Sequence, residues 1–132
     1  MMNYLKLILV TLFVMSSFGV SSQTRDGEEK LNLQYVGHHG THSEYYPPAD
    51  MPDVYFDDDE LEIIIVGDGF ADYYDVEIVS LGSMLTVIST QVDGYGDSID
   101  VSSLPEGDYR IVITSSNNNI FEGDFIKQQK QQ

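Results

Sequence analysis

Cysteine and tryptophan are absent from the chain. Without cysteine there is no disulfide framework, no thiolate metal site, no cysteine nucleophile and no lipid-modified cysteine behind an export signal. Basic residues are scarce: 6 Lys+Arg stand against 22 Asp+Glu, a formal net charge of -16. A surface of that sign repels phosphate backbones and anionic bilayers, which excludes nucleic acid as a partner. Helical periodicity is also missing, since no segment repeats apolar residues at helical spacing over ten or more positions. The 42% of hydrophobic residues is too high for a disordered acidic chain, and 132 residues hold one domain rather than two.

The N-terminus reads as an address. Lys6 precedes the apolar run Leu7–Met15, and Ser16, Ser17, Gly19, Ser21 and Ser22 supply small residues before a cut near Gln23. A membrane-spanning helix needs about 20 apolar residues, so the run predicts a signal peptide over 1–22 and not an anchor. The expected location is exported, periplasmic or extracellular, with no membrane insertion after cleavage. Residues 23–52 carry Pro47, Pro48 and Pro52 and read as a flexible leader, with one short strand over Leu31–Val36.

From Asp53 the pattern changes. Short β-rich runs alternate with turn residues every 8–12 residues, as in all-β sandwiches. The runs are Val54–Phe56, Glu60–Val66, Tyr74–Leu81, Met84–Val92, Ser98–Val101, Tyr109–Thr114 and Ile120–Ile126. Leu61, Ile63 and Ile65 share one face, as do Val76 and Ile78, Tyr109, Ile111 and Ile113, and Phe121 and Phe125. Gly82-Ser83 suits a two-residue hairpin turn with Gly first. Gly123, between two phenylalanines, marks a bulge or a close neighbour. The reading is an antiparallel β-sandwich of about seven strands over 53–126, followed by a polar tail over 127–132.

Leu104-Pro105-Glu106-Gly107-Asp108-Tyr109 precedes the strongest strand. A Tyr there, two strands from the end, is placed for the tyrosine corner of immunoglobulin-like sandwiches, with its hydroxyl bonded to backbone just upstream. With no cysteine pair and no core Trp, the fold is the disulfide-free, fibronectin-like variety. Three stretches carry a family resemblance: Leu61-x-Ile63, then Val76-x-Ile78, then Ile99-Asp100-Val101-x-x-Leu104-x-x-Gly107-x-Tyr109-x-Ile111-x-Ile113 with a closing Gly123-x-Phe125. Behind an N-terminal signal, this pattern resembles the small exported Bacteroides-type proteins of the domain of unknown function 3244 family. The sorting domains of type IX secretion cargo are similar over the Leu104–Ile111 part. The resemblance implies an immunoglobulin-like sandwich and brings no activity and no site residues.

Residues that carry chemistry are few. His38, His39 and His42 are all the histidines, on a leader that frames no ligand set. Asp57-Asp58-Asp59-Glu60 is a run of adjacent acids, which do not converge on one ion. No metal and no cofactor are expected. No G-x-S-x-G occurs and no histidine lies beyond the leader, so a nucleophilic triad has no parts. The chain therefore reads as no enzyme. If successive strands run up and down, loops 67–73, 93–97 and 116–119 fall at one end. That end gathers Asp68, Phe70, Asp72, Tyr73, Asp93, Tyr95, Asp97, Asn117 and Asn118. Asp68, Phe70, Tyr73, Tyr95, Asn117 and Asn118 are the candidate ligand-binding residues, for a protein or glycan partner. Turn chemistry is the competing account of the same acids and amides. The expected function is a secreted or periplasmic binding or accessory module. The alternatives are a structural or secretion-sorting sandwich acting by strand addition, and a protease inhibitor. Composition sets no oligomeric state.

Overall fold

A computed structural model describes residues 27–38 and 47–128. The signal segment, His39, His42 and the last four residues lie outside the described residues. Among the described residues there are nine strands and no helix: β1 (Glu28–Lys30), β2 (Gln34–His38), β3 (Asp53–Asp57), β4 (Glu62–Val66), β5 (Tyr73–Ser80), β6 (Leu85–Asp93), β7 (Gly96–Asp100), β8 (Gly107–Ser115) and β9 (Asn119–Lys127). The alternation read from the sequence is the alternation of burial. On β5, Tyr74, Val76 and Ile78 are fully buried while Asp75 and Glu77 are exposed. On β8, Ile111 and Ile113 are fully buried. A period of two puts every second side chain on one face, and only burial of that face stabilises the strand.

Two antiparallel sheets result, ordered β1-β3-β4-β7 and β2-β9-β8-β5-β6. Hairpins join β3 to β4, β5 to β6 and β8 to β9, while the other connections pass between sheets. β8 and β9 take the places of the last two strands beside β5, as in an immunoglobulin-like sandwich. The core lies between the sheets. Val54, Ile63 and Ile65 from one sheet meet Val76, Ile78, Ile111 and Phe121 from the other. Phe125 lies between two aromatic neighbours, with ring centroids 5.1 Å from Phe56 and 5.5 Å from Tyr109.

The tyrosine corner is present. Tyr109 is 3% exposed, and its hydroxyl donates to the Pro105 carbonyl four residues upstream. Leu104 is buried beneath that turn. A second group closes the same corner. Lys127, 8% exposed, donates from Nζ to the carbonyls of Val101 at 2.9 Å, Ser102 at 3.1 Å and Leu104. Three carbonyls satisfy the three protons of one ammonium, which makes burial of the charge tolerable.

The structure corrects the boundaries in several places. The sandwich does not begin at Asp53. β1 pairs with β3 and β2 pairs with β9, so the segment read as a leader contributes one edge strand to each sheet. Leu31 and Leu33 carry the chain between sheets with both side chains buried. Pro52 is fully buried and Met51 packs against the core. Prolines limit helix and inner-strand pairing, but they do not prevent an ordered extended segment. Lys127 belongs to β9 and not to a polar tail. Gly123 is a close approach: a Cβ there would sit 2.8 Å from Leu33 Cδ2. The β5–β6 connection is longer than two residues, because Ser80 pairs with Leu85. Its left-handed residue is Met84 (φ 59), whose N–H bonds back to the Ser80 carbonyl at 2.7 Å. Leu61 is also left-handed (φ 54), half-buried, and ends a turn instead of starting the strand.

Candidate functional site

The three loops expected at one end do converge there, and backbone bonds tie them together. Gly67 N–H donates to the Tyr95 carbonyl at 3.0 Å, Gly69 N–H to Gly94 at 3.3 Å, and Gly94 N–H to Asp72 at 3.0 Å. Ser116 N–H donates to the Tyr73 carbonyl, and the Ser116 hydroxyl accepts from Asp72 N–H at 2.7 Å. Loop backbone held by other loop backbone keeps the surface preorganised, which lowers the ordering cost of binding.

Phe70 is 64% exposed, Tyr95 72% and Tyr73 40%. None is tucked under the rim. The Tyr95 ring covers Gly69, whose missing Cβ leaves it room. Tyr73 opens β5, opposite Asp93 of β6. Asp68 and Asp72 are exposed on the same loop as Phe70. Asn118 is exposed at the tip of the β8–β9 turn in the left-handed conformation (φ 67). It borders a shallow hollow of about 480 Å³ on the outer face of β5, β6 and β8, lined also by Asp75, Glu77, Ser89, Val112 and Thr114.

Some candidates serve the loops themselves. Asp93 Oδ1 accepts from Tyr95 N–H at 2.7 Å, and Asp97 Oδ1 from Ser98 N–H at 2.8 Å. Such bonds are turn chemistry. Asn117 is likewise structural: its Nδ2 donates to Asp50 Oδ2 at 3.0 Å and to the Phe70 carbonyl at 3.2 Å. Asp57 Oδ1 takes the N–H groups of Asp59 and Glu60, so the acidic run is a turn closed by its own first carboxylate. Among the described residues no group of three or more His, Asp or Glu converges as metal ligands do.

The hub of this end escaped the sequence reading. Asp50, 3% exposed, accepts from Asn119 Nδ2 at 3.1 and 3.2 Å and from Asn117, so neutral amides hold its carboxylate. Its backbone carbonyl takes the Tyr74 hydroxyl at 2.7 Å. Burial, and then the charges of Asp50 and Asp68, push the Tyr74 phenol up to about 12. Tyr35 donates to Asn119 Oδ1 at 3.3 Å. Asp50 lies among prolines, and nothing local marks it as buried. Asn119 looks like one more turn residue in Asn117-Asn118-Asn119.

The end offers aromatic faces, carboxylates and amides to solvent. No family model matches the chain, and no curated protein matches it. Among solved structures it is similar to a DUF3244 family protein with an immunoglobulin-like β-sandwich fold from Bacteroides vulgatus. The two share 12% identity at a TM-score of 0.59, over 76% of this chain and 99% of that one. At that identity the likeness speaks to fold: the chain is an immunoglobulin-like β-sandwich, and its structural neighbour comes from the family that its sequence resembles.

Proposed function

We propose that the protein is an exported, non-enzymatic binding module whose loop end takes an uncharged carbohydrate. The observation that carries this reading is the pair Phe70 and Tyr95, 64% and 72% exposed on loops that are hydrogen-bonded to one another. Rings that project from an ordered surface offer flat apolar faces to the C–H faces of a sugar. Asp68, Asp72 and Asn118, exposed on the same set of hydrogen-bonded loops, supply hydroxyl partners. The charge of -16 argues against anionic polymers. The test is an array of neutral, cationic and anionic oligosaccharides, with extended peptides alongside, probed with the exported protein. Binding of a neutral glycan, weakened at least about tenfold by Phe70→Ala or Tyr95→Ala, supports the reading. Neutral-glycan binding that both variants retain, or binding of peptides alone, overturns it.

A further inference from the structure

Among the described residues four strands end a sheet, and three of them are blunted. β1 is three residues long and wholly charged. β7 carries Asp97 and Asp100. β2 is broken by a register shift between Tyr35 and Gly37. Short length, charge and bulges are the usual devices against edge-to-edge pairing. β6 is different. It runs nine residues and, among the described residues, pairs with β5 alone. In a chain with 22 acids, Ser83–Val92 has no charged residue and no proline. Met84 and Leu85 are 68% and 65% exposed, and Thr86, Val87, Ser89, Thr90 and Gln91 are exposed too. Thr90 stands opposite the buried Val76 and points the same way, yet it is exposed, so the facing sheet does not cover β6 at Thr90, although Val92 and Ile88 of the same strand pack against the core. Like β2 it has one register shift, at Val87 between the pairs Ile78–Ile88 and Val79–Thr86, but the six residues Ile88–Asp93 beyond it pair without interruption.

We propose that β6 pairs antiparallel with β6 of a second copy, giving a two-fold dimer in which the five-stranded sheets run on as one. Charge bears on this occupant. A second chain this acidic is repelled least where the strand itself is uncharged, and Ser83–Val92 is such a stretch, with Asp93 only at its end. Pairing about Ile88 sets Met84 against Val92, Leu85 against Gln91, Thr86 against Thr90 and Val87 against Ser89. No carboxylate then faces another, and Asp93 falls opposite the uncharged Ser83. The interface is self-complementary, as a two-fold axis requires. Apolar and β-branched side chains meet across it, which is how cross-strand pairs stabilise a sheet. The adjoining edge β7 brings Asp97 and Asp100 of the two copies toward each other, so association strengthens with salt.

Sedimentation equilibrium of the exported protein, from micromolar to a few hundred micromolar, tests this. It is run in dilute salt and at about 1 M NaCl, where the screening length falls to about 3 Å. A concentration-dependent dimer that tightens with salt is expected. Thr90→Lys, at an exposed position, should weaken it at least tenfold without moving the melting temperature. Ile88→Cys in this cysteine-free chain should cross-link to a dimer on oxidation, and Thr114→Cys on the outer face should not. A monomer at every concentration in high salt overturns the proposal. So does a dimer that Thr90→Lys leaves intact, or one that Ile88→Cys fails to cross-link.

Discussion

Tyr95 lies so close over Gly69 that a Cβ on the glycine would stand 2.9 Å from Cε1, Cζ and Oη of the ring. Gly69 also has φ +87, a conformation that an L side chain adopts only at a cost. Gly69→Ala should therefore destabilise by about 1–2 kcal/mol and tilt the Tyr95 ring off its seat. Gly82→Ala is the control. Its nearest neighbour is Ser80 Oγ at 3.9 Å and its φ is not positive, so it should be neutral or slightly stabilising. Urea midpoints of the two variants check this; equal midpoints refute it.

Alkaline stability should report Tyr74. Its phenol is held near 12 in the folded chain against 10.0 when unperturbed. Between those values the unfolded chain gives up the proton and the folded chain keeps it. The stabilisation is therefore complete below pH 10 and is lost as pH rises toward 12. Burial raises the Tyr109 phenol as well, with the same sign. Melting curves taken across that window should fall, and Tyr74→Phe should flatten the fall. An unchanged alkaline limb in Tyr74→Phe would count against the assignment.

The corner after β7 rests on two side chains. Tyr109→Phe removes the bond to Pro105 and should cost about 1 kcal/mol, while Tyr109→Ala should cost about 3–5 kcal/mol. Lys127→Met leaves the carbonyls of Val101, Ser102 and Leu104 without their donor. A loss of about 1–3 kcal/mol is expected for that. If Lys127→Met unfolds at the wild-type urea concentration, those bonds do not hold the corner.

Self-repulsion should dominate the response to ions. With a net charge of -16, added NaCl should raise the melting temperature of dilute protein. Ca²⁺ and Mg²⁺ should act alike at matched ionic strength, and EDTA should change nothing. A shift of several degrees with Ca²⁺ alone would reveal a specific site.

Acid should expose two carboxylates held low. Arg110 bonds to Asp124 across β8 and β9 (Nε to Oδ1 at 2.8 Å), and this bond is the main cause of the lowered Asp124 pKa. Ser102 does the same for Asp100. Their contribution is present above the ordinary 3.8 and is lost as pH falls through the lower folded values. Asp124→Asn should shrink the acid-limb loss, while the melting temperature at pH 7 changes little because the pair is exposed.

How far this fold was legible depends on the range of the interactions. Seven strands, their inward faces and the tyrosine corner follow from patterns within about ten residues, because period-two burial and turn chemistry are local. The loop end was legible as a place, since up-and-down strands sort loops to two ends. Its internal wiring was not. Asp50 bonds to Asn117 and Asn119, partners 67 and 69 residues away, and no local pattern marks such a pairing. Gly123 signalled a close neighbour, but not that the neighbour is Leu33, 90 residues earlier, which is why β2 looked like part of a leader.

The sequence by itself determined an acidic, cysteine-free, all-β chain whose alternating strands had to bury one face, and whose Tyr109 had to sit at a corner. Those properties follow from composition and near-neighbour spacing. Only the tertiary structure decided which loop residues serve the fold and which face solvent. Asn117 and Asp93 went to hold the loops, while Phe70 and Tyr95 stayed outside. It also decided that β6 would be left at an edge with an uncharged face uncovered. Strand order, not strand content, sets which backbone goes unpaired, and strand order is settled by contacts between residues far apart in the chain.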